Sequence, residues 1–232
     1  MQLILNNIEK SFGEKHVLKG ASFTFEKGKI YGLLGRNGAG KTTLFNCISG
    51  EEKVDGGESA IYDGSTMQPV DAQSVGYVYS TPILPDFLTG YEFVKFFIDI
   101  NQKRADANKS IDDYFDMIKI EKEDRHRLIK GYSHGMKNKI QMLMFIIAKP
   151  PVILLDEPLT SFDVVVALEI KQLLRDMKKD HIIIFSTHIL QLATDLCDEI
   201  VVLSNGHLEG VDNVMLKSQE FEQRVIELLK DE

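Results

Sequence analysis

Cysteine is scarce in this chain of 232 residues. Cys47 and Cys197 are the only two and stand far apart, which excludes a disulfide framework and a zinc ribbon. No apolar run reaches the ~18 residues that a membrane-spanning helix needs. The N-terminal MQLILNNIEK has neither the basic segment nor the apolar stretch of a signal peptide. Low-complexity tracts and long blocks of like charge are missing too, which excludes extensive disorder. Basic residues are outnumbered, 27 Lys and Arg against 35 Asp and Glu, for a formal net charge of −8. A protein held to nucleic acid by bulk phosphate attraction is therefore not expected. What is present is a globular composition, 44% hydrophobic and 27% charged, in a chain able to bury roughly 70% of its unfolded surface. The expectation is a soluble, intracellular protein whose membrane role, if it has one, runs through a partner.

Hydrophobic patterning divides the chain. Short apolar runs at Leu3 to Leu5, Val17 to Phe25 and Lys29 to Leu34, punctuated by Gly13, Gly20, Gly28 and Gly35, predict strands. Leu44 to Ser49 reads as the start of a helix, and Ser59 to Tyr62 and Val75 to Tyr79 as two further strands. From about Pro82 to Pro150 the period becomes helical. Thr89 and Glu92 form a capping box with Leu88 and Phe93 as its hydrophobic staple, and Phe93, Phe96, Phe97 and Ile100 predict one apolar stripe. Ser110 opens a second helix with Ile111, Tyr114, Phe115 and Ile118 in phase. A third begins near Gly135, with Met136, Ile140, Leu143, Met144 and Ile147 on one face, and stops before Pro150-Pro151.

Strand and helix then alternate. Val152 to Leu155 is an unbroken apolar run, as in a strand buried on both faces. A helix around Val166 to Met177, the strand Ile182 to Phe185, a helix around Ile189 to Leu196 and the strand Ile200 to Leu203 follow, with a hairpin at Gly206 to Val211. A last amphipathic helix would turn Phe221, Val225, Leu228 and Leu229 inward. The predicted class is an α/β core interrupted by an all-helical insertion.

The strongest chemical signal is Gly35-Arg36-Asn37-Gly38-Ala39-Gly40-Lys41-Thr42, a full GxxxxGK(S/T) match between a predicted strand and helix. Its glycines allow successive backbone N–H groups to face one concavity, where the helix dipole also favours phosphate. Lys41 would bridge the β- and γ-phosphates and the Thr42 hydroxyl would ligate Mg²⁺. Asp156, at the C-terminal end of a buried strand, supplies a carboxylate for the metal's water shell, and Glu157 would polarise a water for attack on the γ-phosphate. Ser133 is a natural N-cap for the helix that follows it. Lys137 and Lys139 in the first turns of that helix oppose its dipole, so an anion docking at its start is an equal alternative to a plain cap.

Together, the P-loop, the VILLDEP segment and the Tyr132-Ser133-His134-Gly135-Met136 run before a helix resemble those of an ATP-binding cassette (ABC) ATPase, the motor subunit of ABC transporters. The resemblance covers essentially the whole chain. It implies a P-loop core with a mixed sheet, an N-terminal antiparallel β subdomain and an inserted α-helical subdomain. Residues 1–81 and 151–211 would form the nucleotide-binding core, 82–150 the helical subdomain with the signature, and 212–232 a C-terminal helix. That short tail leaves no room for a large regulatory domain.

The resemblance further implies ATP and Mg²⁺ as cofactors, bound by Gly35, Asn37, Gly38, Gly40, Lys41, Thr42 and Thr43, with Phe12 stacking on adenine. Ser133 and Gly135 would contact the γ-phosphate held by an opposite subunit, and Asp163 would lie in the loop crossing that interface. His188 would contact the γ-phosphate, with Glu157, His188 and Lys41 as the catalytic set. The metal would be held by Thr42, Asp156 and the residue at position 80. Implied partners are a second ATPase subunit, in a homodimer or heterodimer, and an integral-membrane transporter subunit, with the chain on the cytoplasmic face of the membrane. Phe87 and Tyr91 are candidate contacts for that membrane partner.

Three positions depart from the family pattern. Tyr132, His134 and Met136 replace the Leu, one Gly and the Gln of the usual LSGGQ signature, a YSxGM variant that resembles the two-component exporter branch. Ser80 stands where a metal-contacting glutamine is usual, and Ser161-Phe162-Asp163 replaces Gly/Ala-Leu-Asp. Two other readings compete: a soluble ABC ATPase outside transport, and a regulatory subunit that closes on ATP without turnover.

Overall fold

The computed structural model describes residues 1–79, 81–158, 164–211, 223–225 and 227–228. Ser80, Ser161, Phe162 and Asp163, and most of the predicted C-terminal helix, lie outside the described residues. Two sheets carry the core. The first is antiparallel, ordered β2-β1-β4-β5, from β1 (Gln2–Phe12), β2 (Lys15–Glu26), β4 (Gly56–Tyr62) and β5 (Met67–Pro69). The second runs β10-β9-β3-β8-β7-β6, from β3 (Ile30–Leu34), β6 (Val75–Val78), β7 (Val152–Asp156), β8 (Ile182–Thr187), β9 (Glu199–Ser204) and β10 (His207–Val211). Its strands are parallel except for β10, which pairs antiparallel to β9.

Every residue of β3, β7 and β8 is buried, because helices or the other sheet cover both faces. On one face α1 (Lys41–Ser49) brings Leu44, Phe45 and Ile48 between the two sheets, against Leu3, Phe25, Leu33 and Leu154. On the other, Met142 and Phe145 of α5 (His134–Ala148) and Ile170 and Leu174 of α6 (Val164–Met177) pack on Ile153, Leu155, Ile183 and Phe185. Beside α7 (Leu190–Leu196), Val225 and Leu228 join a smaller cluster with Ile200 and Val202.

Between β6 and β7 the described elements are helical: α2 (Gly90–Ile100), α3 (Ile111–Met117), the single turn α4 (Lys122–Arg125), a 3₁₀ turn at Ile129–Gly131 and α5. Their own cluster gathers Phe93, Val94, Phe115, Ile129, Ile140 and Leu143. Thr89 and Ser110 each close a full capping box, with Glu92 and Asp113 respectively.

Two local expectations change. The stripe predicted on α2 does not hold as a buried face: Phe96 and Ile100 are 55% and 60% exposed, while Phe93 and Val94 are buried with Phe97 and Ile98 packed beside them. The helix is rotated so that two adjacent i, i+4 pairs meet the lobe's core, which leaves Phe96 and Ile100 at its edge. Tyr91 is engaged within the lobe as well, stacked on His126 with ring centroids 4.8 Å apart, whereas Phe87 is 79% exposed. β5 and α4 have no counterpart in the sequence reading, since three exposed residues and a polar KEDR turn carry no hydrophobic period.

Candidate nucleotide site

Parallel strands β3, β8 and β7 end side by side, and the chemistry gathers at their C-terminal ends. The Gly35–Gly40 loop leaves β3, turns with Ala39 N–H donating to the Arg36 carbonyl at 3.1 Å, and enters α1. Gly40, the residue before α1, has φ +105°, and a Cβ there would stand 2.7 Å from Val17 Cγ1, so only glycine fits. No side chain caps the start of α1, and no acidic residue lies in its first turn. Its N–H groups thus point toward the cleft with the positive end of the helix dipole behind them.

Lys41 is buried, and its ammonium donates back to the carbonyls of Gly35 (2.9 Å) and Arg36 (3.1 Å). The Thr42 hydroxyl donates to Asp156 Oδ2 at 2.8 Å. Ser186, on β8 directly opposite Asp156, donates to Asp156 Oδ1 at 2.5 Å and accepts from the Glu157 N–H at 3.1 Å. His188 Nδ1 and Glu157 Oε1 lie 3.0 Å apart. One connected set of polar groups therefore runs from the P-loop helix through both carboxylate residues to His188.

A cleft of about 410 Å³ opens beside the P-loop end of this set. Phe12, Asn37, Gly38, Gly40, Lys41, Thr42, Thr43, Asp156 and Glu157 line it, and so do Lys15 and Val17, which belong to no motif in the sequence. Phe12 is 49% exposed with the Lys10 ammonium 5.0 Å from its ring centroid, which leaves ring surface facing the cleft. A roomier groove of about 840 Å³ lies between β6 and the C-terminal ends of α2 and α5, but the glycine-rich loop and the paired carboxylates border the smaller cleft. Among the described residues no group of three or more His, Cys, Asp and Glu could hold a metal by itself. The hydroxyl of Thr42 and the carboxylate of Asp156 are instead a pair of hard oxygen donors, the kind that completes a small divalent cation's shell with phosphate oxygens and water.

Tyr77, whose ring packs against Phe45 of α1, has a buried hydroxyl with no hydrogen-bond partner among the described residues, and its ionisation is pushed up by burial and then by Asp156 and Glu51. Burial holds the Cys47 thiol at about 11 and raises that of Cys197 well above its usual value, so neither is a ready nucleophile.

Ser133 and Gly135 stand apart from this cleft, at the start of α5. Ser133 caps that helix, its hydroxyl accepting from Met136 N–H at 3.2 Å, and a Cβ on Gly135 would stand 3.2 Å from Val166 of α6. The two lysines of the first turns are matched inside the chain: Lys137 pairs with Asp86 at 2.9 Å and Lys139 with Glu169 at 2.7 Å. An external anion is thus not required to offset them. Asp163 and Ser80 lie outside the described residues.

Residues 18–160 match the family model described as ABC transporter. Over 234 aligned residues the chain is 28% identical to an uncharacterised ABC transporter ATP-binding protein, YdbJ, of Bacillus subtilis, covering 99% of this chain and 75% of the relative. Among solved structures, CbiO1 from Clostridium perfringens, part of the ABC transporter complex CbiONQ, superposes with a TM-score of 0.77 at 24% identity over 97% of this chain and 94% of its own. The ATP-binding cassette MJ0796, a dimer in a post-hydrolysis state with ADP and phosphate, superposes with a TM-score of 0.75 at 22% identity over 91% and 98%. At those identities the likeness to the solved structures is one of fold.

Proposed function

Since this chain belongs to the ABC transporter family, as an ATP-binding subunit with ATPase activity, we propose that it binds MgATP in the cleft at the start of α1. There it closes head to tail with a second ATPase subunit and drives a separate membrane-spanning partner from the cytoplasmic face. The observation that carries the site assignment is the connected set Thr42, Asp156, Ser186, Glu157 and His188 beside an uncapped helix start. The MJ0796 dimer and the CbiONQ complex support the kinds of partner. The described residues hold no helix long and apolar enough to cross a membrane.

In this reading the backbone N–H groups of Gly38, Gly40 and Lys41 cradle phosphate oxygens, and the Lys41 ammonium leaves its carbonyl partners for the β- and γ-phosphates. Mg²⁺ fits the oxygen donors of Thr42 and Asp156, and when bound it would neutralise charge developing on the transferred phosphoryl group. Glu157 orients or deprotonates the attacking water, and His188, held against Glu157, contacts the γ-phosphate. Such catalysis is positioning and electrostatics, with no covalent step asked of the protein. Phe12 stacks on adenine, while Ser133, Gly135 and Asp163 serve the site of the opposite subunit. Ser80 takes the place of the metal-contacting glutamine. The YSHGM signature supports the two-component exporter branch.

Phosphate release by the purified subunit, with Mg²⁺ and with chelator, tests this reading. Mg²⁺-dependent release that disappears in Glu157→Gln is the expected result. Tight ATP binding with no release under any condition would instead favour the regulatory reading.

A further inference from the structure

Ser186 is fully buried, yet its hydroxyl serves both carboxylate residues at the end of β7. It donates to Asp156 Oδ1 at 2.5 Å, while Thr42 donates to Oδ2 at 2.8 Å, so each oxygen of Asp156 has its own hydroxyl donor. The same Ser186 oxygen accepts the Glu157 backbone N–H at 3.1 Å. Glu157 has φ +50°, a left-handed conformation that a non-glycine residue keeps only where its surroundings hold it. This turn is what brings the Glu157 carboxylate to within 3.0 Å of His188.

We propose that Ser186 is a positioning residue for ATP hydrolysis: its hydroxyl pins the left-handed turn that aims the Glu157 carboxylate and fixes the orientation of Asp156, without itself touching nucleotide. The proposal rests on the roles assigned above to Glu157 and Asp156. Alanine at this position would remove the hydroxyl that accepts the Glu157 N–H and donates to Asp156 Oδ1. Both groups would then reorient, while the P-loop, anchored on β3 and α1, would keep its phosphate contacts.

Ser186→Ala and Ser186→Cys, made in the full chain, test this by thermal melting, by ATP titration with and without Mg²⁺, and by steady-state hydrolysis. The expected result is a fall in kcat of at least about tenfold, with KM and the Mg²⁺-free ATP dissociation constant within about twofold of the parent. Cysteine fills the same space with a much weaker hydrogen-bonding group, so Ser186→Cys should share the fall while melting like the parent. It carries the test should Ser186→Ala fail to fold. Placed on Glu157→Gln, Ser186→Ala should lower the residual rate by clearly less than it lowers the parental rate, because the share acting through Glu157 is already lost and only the share acting through Asp156 remains. A parental rate in the well-folded variants, an undiminished loss on the Glu157→Gln background, or ATP affinity falling in step with kcat would each overturn the proposal. If Glu157→Gln alone turned over normally, the assignment of Glu157 would fall and this inference with it; a crippled Glu157→Gln beside an unimpaired Ser186→Ala would sink only the latter.

Discussion

Three helices of the helical lobe and the P-loop helix α1 begin in opposite ways. In the helical lobe, α2 and α3 start with complete capping boxes, at Thr89 with Glu92 and Ser110 with Asp113, and α5 starts on Ser133. Each box places an acidic side chain in the first turn, where it meets both free N–H groups and the helix dipole. α1 starts on Gly40 with no side-chain cap and no acid in its first turn. A capped start is complete within the chain and adds stability. An uncapped one leaves its donors open to a ligand, and an acidic residue there would repel an anion such as phosphate. The contrast separates α2, α3 and α5 from α1, the helix at the candidate site.

Breaking the contrast at α1 should have the largest effect. Lys41→Ala removes the side-chain cation of the loop and should abolish measurable ATP binding in a fluorescence titration; near-parental affinity would count heavily against the cleft as the nucleotide site. Glu157→Gln comes next. It should slow hydrolysis at least about a hundredfold, a barrier increase of about 2.7 kcal/mol, while ATP still binds. The closed dimer should then accumulate as an ATP-dependent doubling of mass by light scattering, and a variant that stays monomeric at saturating ATP would refute the head-to-tail site.

Stripping a capped start should do something different in kind. Thr89→Ala removes the acceptor for Glu92 N–H and should cost about 1 kcal/mol of stability, a fall of about 3 °C in melting temperature for a chain of this size. ATP affinity should not change, and a shift in affinity larger than the shift in stability would mean that the two kinds of helix start are not independent. The smallest effect is expected at Ser80. Ser80→Gln restores the longer amide of the family pattern and should raise turnover about threefold, about 0.7 kcal/mol in barrier, with nucleotide affinity unchanged. An equal or lower rate in a folded variant would show serine to be neutral or adapted at that position.

Legibility in the sequence followed the range of the interaction. The P-loop was readable because its glycines, Lys41 and Thr42 fall in one short run, and the Thr89 capping box because Glu92 is three residues away. The strand β7 announced itself through an unbroken apolar run, and Asp156 and Glu157 through their position at its end. Ser186 was not singled out, because its significance comes from lying opposite Asp156 in the register of β7 and β8, a pairing that spans the whole of α6. The lysines of α5 suggested an external anion because Asp86 and Glu169, which neutralise them, are distant in sequence. The apolar period of α2 gave a helix but not its rotation, which left Phe96 and Ile100 on the wrong side of the boundary between core and surface.

By itself, then, the sequence determined the chemistry available to this protein: an anion-binding loop, two carboxylates at a strand end, a histidine after another strand and a helical insertion between. These are short-range matters of backbone conformation, propensity and spacing. Only the tertiary structure decided which of those groups meet. Strand order put β8 between β3 and β7, so a buried serine came to join Asp156 to Glu157, and His188 came to face Glu157. Hydrogen bonds of that kind depend on placement within a few tenths of an ångström, which is set by the packing of the whole sheet and not by any local run of residues.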